Sequence, residues 1–62
     1  MEVNMDGKIL KIDKKLRVID LLNLLKLNRE MYIITINGQI ATHDEIIDIN
    51  DKVRIIRVVS GG

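Results

Sequence analysis

The 62-residue chain contains no cysteine, no proline, no tryptophan and no phenylalanine, and Tyr32 is its only aromatic residue. Without cysteine it has no disulfide, no thiolate nucleophile and no sulfur ligand for zinc or for an iron–sulfur cluster. One tyrosine does not make the stacking platform that single-stranded nucleic acid requires. These absences exclude disulfide-stabilised folds and cysteine-based metal sites. A small chain without disulfides fits the cytoplasm, which is where we expect it.

Charge and length further limit the classes of function that the chain can have. Ten basic and nine acidic residues give a net charge of +1, a balance that predicts neither a nucleic-acid partner nor a membrane surface. The opening MEVNMDGKIL is charged, unlike a secretion signal, and no apolar run approaches the ~20 residues of a membrane span. A domain of this size buries only ~60% of the surface that its unfolded chain exposes. Because that leaves little room for a catalytic cleft, we expect the protein not to be an enzyme.

Apolar residues make up 47% of the chain and are mostly Ile, Leu and Val. Near the start they alternate with polar residues on both sides of Asp6-Gly7, a pair typical of a two-residue type I′ turn. Folding the chain at this turn places Glu2 opposite Lys11, a favourable cross-strand pair. The same register predicts that one face of the hairpin points into the core: Met1, Val3, Leu10 and Ile12.

The segment DKKLRVIDLLNLLKLN predicts an amphipathic helix. Its apolar stripe follows the spacing i, i+3, i+4, i+7 and consists of Val18, Leu21, Leu22 and Leu25. Asp20 in the first turn and Lys26 in the last turn suit the helix dipole, whereas Arg17 stands where an N-cap of Ser, Thr or Asp is preferred. Three apolar residues lie off the stripe, and we expect them to be exposed or partly covered by loops: Ile19, Leu24 and Leu27.

Two longer strands follow the helix. The β-branched run MYIITI predicts a central strand that ends at the turn Asn37-Gly38, and the last strand is KVRIIRVV. Alternation points four of their residues into the core, namely Ile34, Ile36, Val53 and Ile55, and five away from it, namely Ile33, Thr35, Arg54, Ile56 and Val58. The polar connection QIATHDEIIDIND lies between the strands, and there we expect three residues to plug the core: Ile40, Ile46 and Ile47.

The other residues that could carry chemistry form no recognisable site. His43 is the only histidine, and with no cysteine beside it we interpret it as a loop residue. The acidic residues of this region lack the spacing of an EF-hand and predict a solvated loop: Asp44, Glu45, Asp48 and Asp51. We expect Lys14, Lys15 and Arg17 to form a solvated helix start and Tyr32 to pack at the edge of the sheet.

The chain ends on Ser60-Gly61-Gly62. A terminal glycine pair adds nothing to a fold, because glycine loses more conformational freedom on ordering than any other residue. With glycine at ~7% of residues, a pair in the last two positions arises by chance in roughly 1 chain in 200. We therefore expect a folded domain over residues 1–59 and a flexible working tail over residues 60–62.

The order of hairpin, helix and further strands predicts an α+β fold, with the helix packed on one face of a mixed sheet of four to five strands. The segments RVIDLLNLLKL, INGQI and INDKVRIIRVVSGG resemble those of the ubiquitin-like β-grasp sulfur carriers. Over nearly its whole length the chain is similar to the ThiS and MoaD family, and to ThiS more than to MoaD.

Two positions depart from the family pattern. Ile49-Asn50-Asp51 stands where Asp-Gly-Asp is common, and Arg17 stands where Thr is common. Because Asn tolerates the left-handed conformation that Gly supplies, we expect the turn before the last strand to be kept.

The resemblance implies a chemistry for the tail. An E1-like adenylating enzyme would use ATP to activate the carboxylate of Gly62, and sulfide or a persulfide donor would then convert the acyl-adenylate into a thiocarboxylate. Gly61 and Ser60 would enter the enzyme's narrow channel with it. The sulfur would pass to a thiazole synthase, for thiamin-thiazole synthesis, or to another acceptor enzyme. The chain itself would bind no cofactor and no metal.

The implied enzymes need a surface on the carrier. We expect it on the outer face of the sheet beside the tail, because an exposed apolar cluster with a basic rim is typical of an interface. Its predicted residues are Ile33, Thr35, Arg54, Ile56 and Val58.

Three alternatives remain open at this point. In the first, the chain is a sulfur carrier for molybdopterin synthesis or tRNA thiolation instead of thiazole synthesis. In the second, Gly62 forms isopeptide bonds with lysines of other proteins, as in ubiquitin-like modifiers. In the third, the domain is a β-grasp interaction or RNA-binding module whose glycine pair is incidental. The near-neutral charge and the lack of aromatic residues argue against RNA.

Overall fold

A computed structural model describes residues 1–59. In chain order the elements of this part are β1 (Glu2–Met5), β2 (Lys8–Lys11), β3 (Leu16–Arg17), α1 (Val18–Leu24), β4 (Tyr32–Ile36), β5 (Gln39–Ile40), β6 (Ile46–Ile47) and β7 (Lys52–Arg57). Five strands form one sheet in the order β2-β1-β7-β4-β5, and β3 pairs with β6 in a separate two-stranded sheet. Strands β1 and β7 are parallel, and the other pairs are antiparallel. The predicted α+β arrangement, a mixed sheet packed on one helix, is confirmed.

The core lies between α1 and one face of the five-stranded sheet. Its nine buried residues come from both layers and from the short strand β6: Met1, Val3, Val18, Leu21, Leu22, Ile34, Ile47, Val53 and Ile55. The predicted helix stripe and the inward residues of the two longer strands are all in this set or packed against it. Since each strand alternates its faces, the opposite face of the sheet is left open to partners.

The N-terminal hairpin has the predicted register, with Glu2 opposite Lys11 and Val3 opposite Leu10. Its turn residues Asp6 and Gly7 both have positive φ, as a type I′ turn requires. The prediction that Leu10 is buried was wrong, because 43% of its surface is exposed. Strand β2 is the edge of the sheet, so a core-side residue there has no further strand beside it.

The helix begins at Val18, with Arg17 as its N-cap, as predicted. The Arg17 side chain has no acceptor to offer, and the connection before β6 satisfies the first amides instead. The Val18 N–H donates to the Glu45 carbonyl at 2.9 Å, and the Ile19 N–H donates to the His43 carbonyl at 3.0 Å. Asp20 reaches back to accept the Arg17 N–H at 3.3 Å. Backbone carbonyls distant in sequence therefore replace the missing cap.

The helix ends at Leu24, earlier than the prediction that placed Lys26 in its last turn. Lys26 instead adopts the left-handed conformation, with φ of 58°. Its N–H donates to the Asn23 carbonyl at 3.1 Å, and the Leu27 N–H donates to the Leu22 carbonyl at 2.8 Å. These two bonds make a Schellman motif, and Leu27 packs against the core beside it.

The connection between β4 and β7 plugs the core with one residue rather than three. Ile47 is fully buried, but 75% of Ile40 and 62% of Ile46 are exposed, so the prediction was wrong for these two. Ile40 lies opposite Thr35 on the outer face of the sheet, and Ile46 lies opposite the exposed Arg17 in the two-stranded sheet. Strand β4 pairs with β7 on one side and with β5 on the other, so it is an interior strand of the sheet, as predicted, and β7 is the middle strand of the five.

A hydrogen-bonded turn leads into β7. The Asp51 carboxylate accepts the Asp48 N–H at 2.8 Å and the Asn37 side-chain amide at 3.0 Å, and Asn37 accepts the Lys52 N–H at 3.0 Å. Both hydrogen bonds hold the pKa of Asp51 below its ordinary value, and the bond from the Asp48 N–H has the larger effect. The turn is kept, but Asn50 is not left-handed, so the expectation that it replaces Gly in that way was wrong.

Candidate docking face beside the tail

Strands β4 and β7 bring the predicted docking residues together. Ile33 lies opposite Ile56, and Thr35 lies opposite Arg54. The neighbours of Ile56 and Arg54 along β7, Val53 and Ile55, are buried against the helix, which fixes the opposite face outward. Ile33, Ile56 and Val58 are each exposed, so an apolar cluster does form on the outer face. We call this surface the outer face throughout.

Val58 anchors the chain just before the tail. It follows the last residue of β7, and its N–H donates to the Met31 carbonyl at 2.8 Å. Val59 is largely exposed. The predicted tail residues Ser60, Gly61 and Gly62 lie outside the described residues, so their expected roles stay predictions.

Two further apolar residues of the outer face were missed. Ile9 lies opposite Asn4 in the hairpin, and Ile40 lies opposite Thr35. Both are well exposed. Ile9 was accessible to sequence reasoning, since the register that points Leu10 inward points Ile9 outward. The outer face therefore extends from edge to edge of the sheet.

Charge on the outer face is arranged in register. Glu2 lies between Lys11 of β2 and Lys52 of β7. Arg54 instead lies between Asn4 and Thr35, which carry no charge. A shallow depression of about 360 Å³ covers this part of the face. The basic charge is therefore within the face as well as on its rim.

The other candidate residues have structural or solvent-facing positions. His43, Asp44, Glu45 and Asp48 are exposed and Asp51 is half-buried, and within residues 1–59 no cluster of His, Asp or Glu is arranged to hold a metal ion. Tyr32 is half-buried against the core, on the part of β4 that β5 does not cover. Across the same residues, no helix is long and apolar enough to cross a membrane.

Comparison with known proteins addresses the fold and the family. The model of the ThiS family matches residues 1–62. The crystal structure of the thiamine biosynthesis protein ThiS from Geobacter metallireducens is 26% identical, with a TM-score of 0.72 over 100% of both chains. An NMR structure of a thiamine biosynthesis protein from the same organism is 23% identical, with a TM-score of 0.66 over 100% of this chain and 88% of that one. No curated protein matches the chain.

These comparisons confirm the predicted β-grasp fold and the resemblance to ThiS. They support the role of a sulfur carrier that works with adenylating and sulfur-accepting enzymes and is not itself a catalyst. From the match over residues 1–62, the chain belongs to the ThiS family.

Proposed function

We propose that this protein carries sulfur for thiamine biosynthesis as a thiocarboxylate on Gly62. The observation that carries the proposal is the ThiS family match, which runs through the Ser-Gly-Gly tail to residue 62. The structural relative with 26% identity is named as a thiamine biosynthesis protein, which favours the thiazole branch over molybdopterin synthesis and tRNA thiolation.

The proposed reaction has two steps on the partner enzyme. The Gly62 carboxylate attacks the α-phosphorus of ATP, so that pyrophosphate leaves and an acyl-adenylate forms. Sulfide then attacks the acyl carbon, AMP leaves, and the thiocarboxylate remains. With a persulfide donor, the terminal sulfur attacks first and a thiol afterwards reduces the acyl disulfide. ATP belongs to the adenylating enzyme, and the carrier supplies the carboxylate.

The geometry of the anchored part sets the reach of the tail. Val58 is tied to Met31, and Gly62 lies four positions further along the chain. A fully extended chain spans at most ~3.4 Å per residue, so the four residues that follow Val58 can span no more than about 14 Å. Without Cβ atoms, Gly61 and Gly62 allow a close approach to the nucleotide. An enzyme that covers the outer face must therefore place its nucleotide within this distance of Val58.

Docking on the outer face would supply the binding energy. Ile33, Ile56 and Val58 offer an exposed apolar cluster at the C-terminal end of β7. Holding the last three residues in one conformation on the enzyme costs entropy, and contacts to the folded domain offset that cost. The same face would serve the adenylating enzyme and the thiazole synthase in turn, so we expect the two to compete for the carrier.

The test is the intact mass of the protein after incubation with the adenylating enzyme of the same genome, ATP and sulfide. We expect a gain equal to replacement of one oxygen by sulfur, which is absent without ATP and abolished when Gly62 is deleted. An unchanged mass with an enzyme proven active on another carrier would overturn the proposal. Covalent conjugates with lysine-containing proteins would instead show a ubiquitin-like modifier.

The acceptor pathway needs a second measurement. The thiocarboxylate form should support thiazole formation in a reconstituted thiazole synthase reaction, whereas the untreated carboxylate form should not. Sulfur transfer to a molybdopterin precursor or to tRNA, with none to thiazole synthase, would move the protein to one of those pathways and leave the carrier chemistry in place.

A further inference from the structure

Arg54 occupies the centre of the outer face. It lies on β7, the middle strand of five, and its register partners are Asn4 on β1 and Thr35 on β4. Both partners are neutral, so neither balances its charge. In the described part of the chain, side-chain hydrogen bonds link the turns and the helix start, and Arg54 takes part in none of them.

Glu2 is the one acidic residue among the described strand residues of the outer face, and it is shared between two cations. It lies in register between Lys11 and Lys52, one row away from Arg54. The face thus carries three cations and one carboxylate. Such a face attracts an acidic surface and repels a basic one.

Arg54 lines the depression of about 360 Å³ together with its neutral register partners Asn4 and Thr35. The apolar residues Ile9 and Ile56 and the register pair of opposite charge, Glu2 and Lys52, also line it. A partner that fills it removes the guanidinium from water. Removal of a charge from water is costly unless the charge gains a partner and hydrogen bonds. A planar guanidinium is best satisfied by a carboxylate, which it binds through two parallel hydrogen bonds.

We propose that the enzyme that docks on the outer face inserts an Asp or Glu side chain, flanked by apolar residues, into this depression to pair with Arg54. The inference rests on the proposed function, because it concerns the adenylating enzyme of that reaction. In this proposal Arg54 forms an ion pair inside the interface and so stabilises the complex, whereas a charge at the rim would act mainly on the rate of association.

The experiment measures carrier-dependent ATP–pyrophosphate exchange by the adenylating enzyme at increasing carrier concentration. Arg54→Glu should lower kcat/KM by at least about 30-fold, through KM, because charge reversal at a buried pair weakens docking strongly. Arg54→Lys should lower kcat/KM by about tenfold, since a lysine keeps the charge but cannot form the bidentate pair with a carboxylate. The matched control is Arg17→Glu, the same charge change at an exposed residue on the helix side, and it should stay within about twofold of the unmodified protein.

The outcomes separate this inference from the proposed function. If the unmodified carrier supports no exchange and gains no sulfur, the proposed function fails. If it gains sulfur but Arg54→Glu leaves KM unchanged, or raises KM no more than Arg17→Glu does, the pairing role of Arg54 is overturned alone. Circular dichroism and thermal melts of each variant establish folding, and Arg54→Lys retains the test if the charge reversal unfolds the protein.

Discussion

The two faces of β7 differ in what their residues do, although they alternate along one strand. Val53 and Ile55 are almost completely buried against α1, whereas Arg54 and Ile56 are exposed on the outer face. The core face determines whether the domain folds. On the outer face, no element within residues 1–59 packs over Ile56, so packing in the domain does not explain an isoleucine there. Stability and docking should therefore be separable in this small domain, residue by residue along one strand.

The strongest test compares two neighbouring isoleucines. Ile55 is 4% exposed and Ile56 is 41% exposed. Ile55→Ala should lower the free energy of unfolding by about 2–5 kcal/mol, because it leaves a cavity in the core, and Ile56→Ala should lower it by under about 1 kcal/mol. Urea unfolding followed by circular dichroism measures both. Equal losses at the two positions would contradict the separation of the faces.

The complementary test concerns binding. Ile56→Asp should keep the fold but weaken binding to the adenylating enzyme by roughly 10- to 100-fold, since it places a charge in the apolar part of the interface. Ile46→Asp is the matched control, because Ile46 is even more exposed and lies in the two-stranded sheet. Titration calorimetry without ATP measures both affinities. Similar weakening by the two variants would mean that docking is not confined to the outer face.

Local pattern predicted the parts of the fold that alternation and tight turns determine. A two-residue turn at Asp6-Gly7 permits one register, and that register places Val3 opposite Leu10, as the structure confirms. The same alternation placed Ile33 and Ile56 together on the outer face before any contact was known. Hence both the hairpin and most of the candidate docking face were accessible from sequence.

The errors occurred where a distant segment decides the outcome. Ile47 is buried as predicted, but Ile46 is exposed because β6 pairs with β3. A two-residue strand is too short for its own pattern to reveal which of its residues faces the core. The helix start is satisfied by the carbonyls of His43 and Glu45, which no N-cap rule applied to Arg17 detects. Exposure of Ile40 follows in the same way from its position on an edge strand.

Asp51 offers a test of intermediate size. It ties the turn before β7 to Asn37, so Asp51→Asn should lower the melting temperature at neutral pH by a few degrees without weakening docking. The pKa of Asp51 is lowered in the folded state, so the stability that its carboxylate contributes is fully present above the pKa of the unfolded chain and is lost as pH falls through the lower folded pKa.

The pH dependence provides the control for Asp51. The difference in melting temperature between Asp51→Asn and the unmodified protein should shrink as pH is lowered through this range. An equal difference at neutral and acidic pH would show that the carboxylate charge is not what stabilises the turn. A loss of docking by Asp51→Asn at a temperature where it is fully folded would link the turn to the outer face and contradict the separation.

The smallest expected effect concerns the end of α1, on the core side of the sheet. Lys26 has φ of 58°, a conformation that costs a residue with a Cβ roughly 1 kcal/mol and costs glycine little. Lys26→Gly should therefore stabilise the domain by about 0.5–1 kcal/mol, whereas Lys26→Ala, which keeps the Cβ, should not. Urea unfolding of the two variants measures the difference. Because the residue is remote from the outer face, the kcat/KM for pyrophosphate exchange should be unchanged in Lys26→Gly, and a change would show that helix and docking face are coupled through the core.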